Sequence, residues 1–347
     1  MRRFRLSVSA FLLALVIFSL SGCSGISDGL LKRNIFAMNT VIDINSDGLT
    51  EADHDYAAAL IRSLELIFDF KNPDSEQYRW NESTGGGKVS PEFYSVVKTG
   101  AEIYDLSGGV SFGGVSSFGA CDITIGALVE LWDIPNRSEF VPDESEIKAA
   151  LALSGFEYLK IYESGGEFFV EKTLPGLRLS LGGIAKGWAL EQTVEFLKSR
   201  GGKHIIVSFG GNVGVAGGKS DGSPWKIGIR SPRPESGNET VGCFEITDGY
   251  IAVSGDYERY FERDGVRYCH IFDPQTGYPV TGTQSAVVLT ESGAVGDALS
   301  TALFVMNCRG ETPDMILSRE PGIFRTAYII DESGQRLFGD EKHFTKY

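Results

Sequence analysis

The sequence predicts a mixed α/β (α+β) fold: a single domain of largely antiparallel sheets with helices interspersed. Three observations carry that expectation. Strand-like and helix-like apolar spacings follow one another without the regular alternation of a doubly wound parallel sheet. One strand–glycine–helix–strand unit runs from Arg178 to Phe209. No internal repeat or proline-rich linker divides the chain after Lys32, so residues 33–347 read as one domain.

Taken in order, Phe36 to Ile44 is strand-like. Tyr56 to Phe70 spaces Ala57, Leu60, Ile61, Leu64, Ile67 and Phe68 as one helical face, and Asn72-Pro73-Asp74-Ser75 ends it. A second helix is expected from Pro91 to Leu106, followed by a serine-glycine loop from Ser107 to Gly119. Within that loop Gly109-Val110-Ser111-Phe112-Gly113 matches G-x-S-x-G. A nucleophile elbow needs a strand before the serine and a helix after it; here a helix precedes and more glycine follows. Arg178 to Leu181 reads as a strand, Ile184 to Lys198 as an amphipathic helix and His204 to Phe209 as the returning strand. Further strands are expected at Trp225–Arg230, Tyr250–Ser254, Arg267–Phe272 and Ser285–Thr290, then a helix at Asp297–Met306 and a strand pair around Arg325–Asp331.

The N-terminus reads as a targeting segment, separate from the fold. Arg2, Arg3 and Arg5 precede an apolar run from Val8 to Leu20, shorter than the roughly 20 residues of a membrane span. It ends in Leu20-Ser21-Gly22-Cys23, which resembles a bacterial lipobox. The expectation is a signal peptide over 1–22, lipidation of Cys23, a tether over 23–32 and an exported domain anchored to a membrane surface.

Composition narrows the function classes. At 42% hydrophobic and 11% aromatic residues the chain is not intrinsically disordered, and its 43 glycines follow no G-X-Y period. The formal net charge of −14 argues against a nucleic-acid partner. An anionic ligand must then be held by a local device such as a metal ion, a lysine or a helix N-terminus. Cys121, Cys243, Cys269 and Cys308 form no C-x-x-C pair, which disfavours structural zinc, and buried free thiols are expected.

Three constellations carry chemistry. In Leu181-Gly182-Gly183-Ile184-Ala185-Lys186-Gly187, glycines open a helix N-terminus and Lys186 adds a positive charge, a phosphate cradle by physics but neither G-x-G-x-x-G nor a Walker sequence. In Asp297 to Phe304, Asp297 and Thr301 stand four apart at the expected start of a helix. These hard oxygens suit Mg²⁺, while the alternative has Asp297 complementing the helix dipole. Around His270 the run Tyr268 to Pro279 contains a ready turn, and His270 reads either as a base or proton carrier or as a satisfied structural residue.

In combination these motifs resemble the ApbE family of flavin transferases, from about Met38 to Phe304. The matching stretches are Met38-Asn39-Thr40, Asn72 to Glu76, Asp122 to Val129 with Leu131-Trp132, Gly182 to Gly187, Ser208 to Asn212, Ser254 to Phe261, His270 to Gly277 and Asp297 to Phe304. The resemblance implies that FAD binds against Met38, the Ala120-Cys121-Asp122 turn, Ser180, Lys186 and the His270-Ile271 strand. It implies Mg²⁺ held by the Gly183 carbonyl, Asp297 and Thr301. The implied reaction joins FMN to a threonine or serine hydroxyl of a partner redox protein and releases AMP, with His270 or Asp273 as base. Hydrolysis of FAD to FMN and AMP, or flavin binding without catalysis, are the alternatives. Family acceptors resemble Ser/Thr-Gly-Ala-Thr/Ser; the nearest stretch here, Ser292-Gly293-Ala294-Val295, ends without a hydroxyl, which points to an acceptor in another protein. Ser180 stands where the family frequently has Asp, and Lys71 where an aromatic is common.

Overall fold

The computed structural model describes residues 29–109, 118–134, 136, 137 and 139–347. The leader, Cys23, most of the tether and most of the G-x-S-x-G stretch lie outside the described residues.

The chain enters as a hairpin, β1 (Leu31–Ala37) and β2 (Thr40–Asp47), turned by Met38 and Asn39 at φ 52° and 58°. Two consecutive left-handed residues match the twist of a two-residue hairpin. They break in two what the sequence presents as one strand. β1 also takes in Leu31 and Lys32, the expected end of the tether. Helix α1 (Glu51–Phe68) starts five residues before the apolar periodicity does, because Thr50 and Asp53 form a capping box, and it buries Ala57, Ala58, Ile61, Leu64 and Phe68.

Helix α2 (Glu76–Glu82), capped by Ser75, and strand β3 (Gly86–Val89) lead into α3 (Pro91–Leu106), where Ser90 caps and Pro91 opens the first turn. Helices α4 (Gly126–Trp132) and α5 (Glu144–Leu151) precede β4 (Leu159–Ser164) and β5 (Glu167–Lys172). After the glycine loop come α6 (Ala185–Ser199), β6 (Lys203–Phe209), β7 (Asn212–Ala216), β8 (Trp225–Arg230), β9 (Thr240–Ile246) and β10 (Gly249–Gly255). The remainder is β11 (Tyr260–Arg263), β12 (Val266–Cys269), β13 (Thr283–Thr290), α7 (Gly293–Cys308), α8 (Asp314–Arg319), β14 (Thr326–Asp331), β15 (Gly334–Gly339) and β16 (Phe344–Lys346).

The central sheet has the order β1-β2-β6-β7-β10-β13-β14-β15, with every pairing antiparallel. Side chains alternate across it. Ala286, Val288, Ala327 and Ile329 join the core under the helices, while Val287, Leu289, Tyr328 and Ile330 join a second core under the small sheet β16-β9-β8. Both faces of β13 and β14 are therefore covered. α7 lies on the helix side against β10 and β13 and is buried nearly all round, from Gly293 to Met306. A third cluster, Ile125, Leu128, Trp132, Ile147, Phe261 and Phe272, builds the side wall beyond it.

Arg178 to Leu181 is not a strand: only Arg178 bridges, to Ile125. The reason lies about a hundred residues earlier. Asn81 in α2 donates to the Leu179 carbonyl and accepts the Leu179 N–H, so that backbone is committed to a side chain instead of a ladder. The expected Arg267–Phe272 strand likewise stops at Cys269, leaving His270 and Ile271 in an irregular link. All four described cysteines are free thiols; three are buried as expected, but Cys308 is exposed. Among the described residues no helix is long and apolar enough to cross a membrane.

Candidate active site

Helices α6 and α7 meet at their N-terminal turns through two glycines. A Cβ at Gly187 would lie 2.1 Å from the Gly293 carbonyl oxygen and 2.5 Å from Asp297 Cβ, so only glycine allows this approach. α6 has no side-chain cap of its own. Its Gly187 N–H, one of the unpaired donors of the first turn, instead donates to Asp297 Oδ2 at 2.8 Å. Because α7 begins at Gly293, Asp297 sits in its second turn, not at the N-terminus the sequence suggested. The carboxylate therefore complements the neighbouring helix, and its own helix is capped by Ser292.

Asp297 is 4% exposed. Its Oδ1 accepts from Asn212 Nδ2 at 2.8 Å, and Asn212 Oδ1 accepts the Val253 N–H at 3.0 Å. Asn212 begins β7 directly after the Gly210-Gly211 turn, and a Cβ at Gly210 would meet Thr40 Oγ1 at 1.9 Å. The sequence pattern gives Asn212 no part of its own; only the fold shows that it aims the carboxylate. One turn after Asp297, Thr301 Oγ1 lies 3.3 Å from Ser254 Oγ and 3.3 Å from the Asp297 carbonyl oxygen. A Cβ on Gly183 would stand 3.2 Å from the same hydroxyl. Lys186 Nζ donates to the Gly182 carbonyl at 2.8 Å and stands 4.0 Å from Asp297 Oδ2. Gly183, Lys186, Asp297 and Thr301 thus share one corner.

That corner opens onto a cleft of about 830 Å³, to which Met38, Ala120, Cys121, Asp122, Ser180 and Ile271 also contribute. The Ser180 N–H donates to the Ile123 carbonyl at 2.7 Å, and the Gly126 N–H donates to the Arg178 carbonyl at 2.9 Å. These two bonds place the Ala120-Cys121-Asp122 turn beside Ser180. Met38 is held at the rim by its N–H donating to Glu65 Oε1 at 2.7 Å. Asp122 Oδ1 accepts from the Thr124 N–H and hydroxyl, both at 2.7 Å. Burial nevertheless raises the Asp122 carboxyl to about 6, and burial likewise pushes the Cys121 thiol up to about 12.

His270 lines the same cleft. Its backbone N–H donates to the Arg259 carbonyl at 3.0 Å, and Nδ1 lies 3.3 Å from that oxygen. A proton on Nδ1 satisfies the contact and leaves the Nε2 lone pair free. Burial, followed by the positive charges of Arg259 and Lys186, lowers the imidazole to about 3, so it is neutral at physiological pH. Asp273, the other candidate base, is outside the cleft lining. Arg309 pairs with its carboxylate at 2.5 Å, and Oδ1 also accepts the Gln275 N–H, which fixes the turn. Those partners give Asp273 a structural job at the turn.

The corner can hold a hard cation. Asp297, Thr301 and the Gly183 backbone offer oxygen donors only, one of them a carboxylate, a set that suits Mg²⁺ and leaves coordination positions for phosphate oxygens and water. Among the described residues no group of three or more His, Cys, Asp or Glu gathers as a metal centre.

The chain matches the ApbE family over residues 38–323. It is 37% identical over 238 residues to the FAD:protein FMN transferase of Vibrio cholerae, covering 67% of each chain. It is 31% identical over 277 residues to that of Treponema pallidum, covering 76% of this chain and 73% of the relative. Among solved structures it superposes on the ApbE protein of Thermotoga maritima with a TM-score of 0.76 at 30% identity, covering 90% of this chain and 97% of that one. The flavin transferase ApbE of Vibrio cholerae gives 0.75 at 28% identity, over 90% and 98%.

Proposed function

Because this chain belongs to the ApbE family, we propose that it transfers FMN from FAD to a threonine or serine hydroxyl of a partner protein and releases AMP, in a Mg²⁺-dependent step. The observation that carries the reading is the convergence of Gly183, Lys186, Asp297 and Thr301 where α6 and α7 meet, with His270 on the wall of the same cleft.

Met38, the Ala120-Cys121-Asp122 turn, Ser180 and Ile271 take the flavin half of FAD, and Lys186 takes the diphosphate. Asp297, Thr301 and the Gly183 carbonyl hold Mg²⁺, which supplies charge neutralisation on the phosphoryl oxygens. The acceptor oxygen attacks the phosphorus of the FMN half, the bond from that phosphorus to the bridging oxygen breaks, and the bridging oxygen leaves with AMP. Neutral His270, with its proton on Nδ1 against the Arg259 carbonyl, takes the hydroxyl proton on Nε2. The negative charge of a bound diphosphate would offset the positive charges of Arg259 and Lys186 that lower the imidazole, and so raise its proton affinity when substrate is present.

Ser292 of this chain is not the acceptor: its hydroxyl donates to Glu191 Oε2 at 2.7 Å and caps α7. The acceptor is a separate redox protein with an exposed Ser/Thr-Gly-Ala-Thr/Ser-like segment. The reading includes removal of the leader and lipidation of Cys23, which places the domain at a membrane surface outside the cytoplasm. The test incubates the chain with FAD and Mg²⁺, with and without such a partner, followed by denaturing electrophoresis and mass spectrometry. Transfer predicts an added FMN on the partner alone. FMN and AMP released equally fast without a partner, and no adduct with one, would mean hydrolysis instead.

A further inference from the structure

Arg259 is the one arginine between Arg230 and Arg267 without a carboxylate partner among the described residues. Arg230 pairs with Glu258, Arg233 with Asp256, Arg263 with Asp264, and Arg267 with both Asp256 and Glu262. Even the adjacent Glu258 is engaged elsewhere. The Arg259 guanidinium makes a single long contact, NH2 donating to the Asn39 carbonyl at 3.4 Å, and both residues line the cleft. Most of its donor fork is therefore open toward a site that already contains Lys186.

The backbone of the same residue holds His270 by the Arg259 carbonyl. One residue thus touches the Met38-Asn39 turn with its side chain and the imidazole with its backbone, across a separation of 220 residues in the Arg259–Asn39 contact. A guanidinium presents paired donors at the spacing of phosphate oxygens, which an ammonium cannot do. An unpaired cation beside a second cation is unfavourable in the empty cleft and is relieved by an anionic ligand spanning both.

We infer that Arg259 is a ligand of the substrate's diphosphate, sharing it with Lys186. This inference rests on the proposal that FAD is the substrate. It extends that proposal by assigning diphosphate recognition to the mouth of the cleft as well as to Lys186.

The experiment compares two flavins by fluorescence titration in the full chain with Mg²⁺: FAD, and riboflavin, which has no phosphate. Arg259→Gln and Arg259→Lys are measured beside the wild type, with circular dichroism to confirm folding. Arg259→Gln is expected to weaken FAD binding about tenfold or more while riboflavin binding stays within twofold, and to flatten the salt dependence of FAD binding. Arg259→Lys is expected to fall between, since it keeps the charge and loses the fork. An equal loss for both flavins would make Arg259 only a tether for the Met38-Asn39 turn, and no loss for either would remove it from the site; both outcomes overturn the inference. A wild type that binds FAD with this dependence on Arg259 yet labels no acceptor would sink the transfer reading and leave Arg259 in place.

Discussion

Asp297 Oδ2 accepts the Gly187 N–H across 2.8 Å, so a carboxylate in the second turn of α7 completes the first turn of α6. The bond exists because Gly187 and Gly293 carry no side chains between the two helices. Structural and chemical requirements are therefore fused at this point: whatever separates the helices also displaces the carboxylate.

The first prediction follows from that contact. Gly187→Ala inserts a Cβ 2.1 Å from a backbone oxygen, which has no rotamer to yield, and should cost about 1–3 kcal/mol of stability or more. Gly182→Ala, whose Cβ meets nothing within 4 Å, should stay within about 0.5 kcal/mol of the wild type. Chemical denaturation of the two variants checks the ordering. Equal stabilities would mean that the helices are not held at van der Waals contact.

Asp297→Asn should abolish turnover that depends on Mg²⁺, and it should also loosen the fold. Both carboxylate oxygens accept from donors, the Gly187 N–H and Asn212 Nδ2. An amide has one acceptor end and must turn its NH₂ toward one of them, at a cost of about 1–3 kcal/mol. Thermal unfolding and an assay over a range of Mg²⁺ concentrations separate the two effects. Turnover at an unchanged Mg²⁺ dependence would remove Asp297 from the metal site.

How much was legible in the sequence depends on how local the cause is. The Asp297–Thr301 spacing and the Gly182–Gly187 run were readable because four residues of helix and a glycine turn need no distant partner. The continuous apolar run from Ala286 to Leu289 made β13 readable for the same reason. Where a side chain far along the chain decides, pattern fails. Asn81 takes the Leu179 backbone away from a strand, Arg309 ties Asp273 into its turn, and Asn212 aims Asp297 from another element. The early starts of α1 and α7 were within reach, since Thr50 and Ser292 are ordinary N-cap residues that apolar periodicity alone does not register.

Asp122 should give stability a distinctive pH dependence. Its carboxyl is raised by burial from 3.8 to about 6, so between those values the folded chain holds more protons than the unfolded one. Stability from this group is fully present below its unfolded value and is lost as pH rises through the folded one. Asp122→Asn keeps an oxygen to accept from Thr124 and has no charge to desolvate. Relative to the wild type the variant should gain about 1–3 kcal/mol near neutral pH, and the gain should vanish near pH ~3.5. Denaturant midpoints at the two pH values measure it; a larger gain in acid would reverse the assigned sign.

The last prediction concerns a residue far from the chemistry in sequence. Asn81 Nδ2 donates to the Leu179 carbonyl at 3.0 Å while its Oδ1 accepts the Leu179 N–H at 2.8 Å, and Gln77 Nε2 donates to the same carbonyl at 3.0 Å. Leu179 immediately precedes Ser180, whose own N–H sets the Ala120-Cys121-Asp122 turn through Ile123. Asn81→Leu leaves the buried Leu179 N–H without a partner and should cost about 1–3 kcal/mol. Gln77→Leu should cost less, because Asn81 still donates to the carbonyl and only that donor is lost. Since the pair acts by placing the flavin wall and touches no reacting atom, KM for FAD should rise more than kcat falls in both variants, and more in Asn81→Leu. Unfolding midpoints and steady-state kinetics on the two variants provide the check: if Gln77→Leu proves the more damaging, Leu179 is held chiefly by its carbonyl, and the two-way Asn81 clamp is not what orients Ser180.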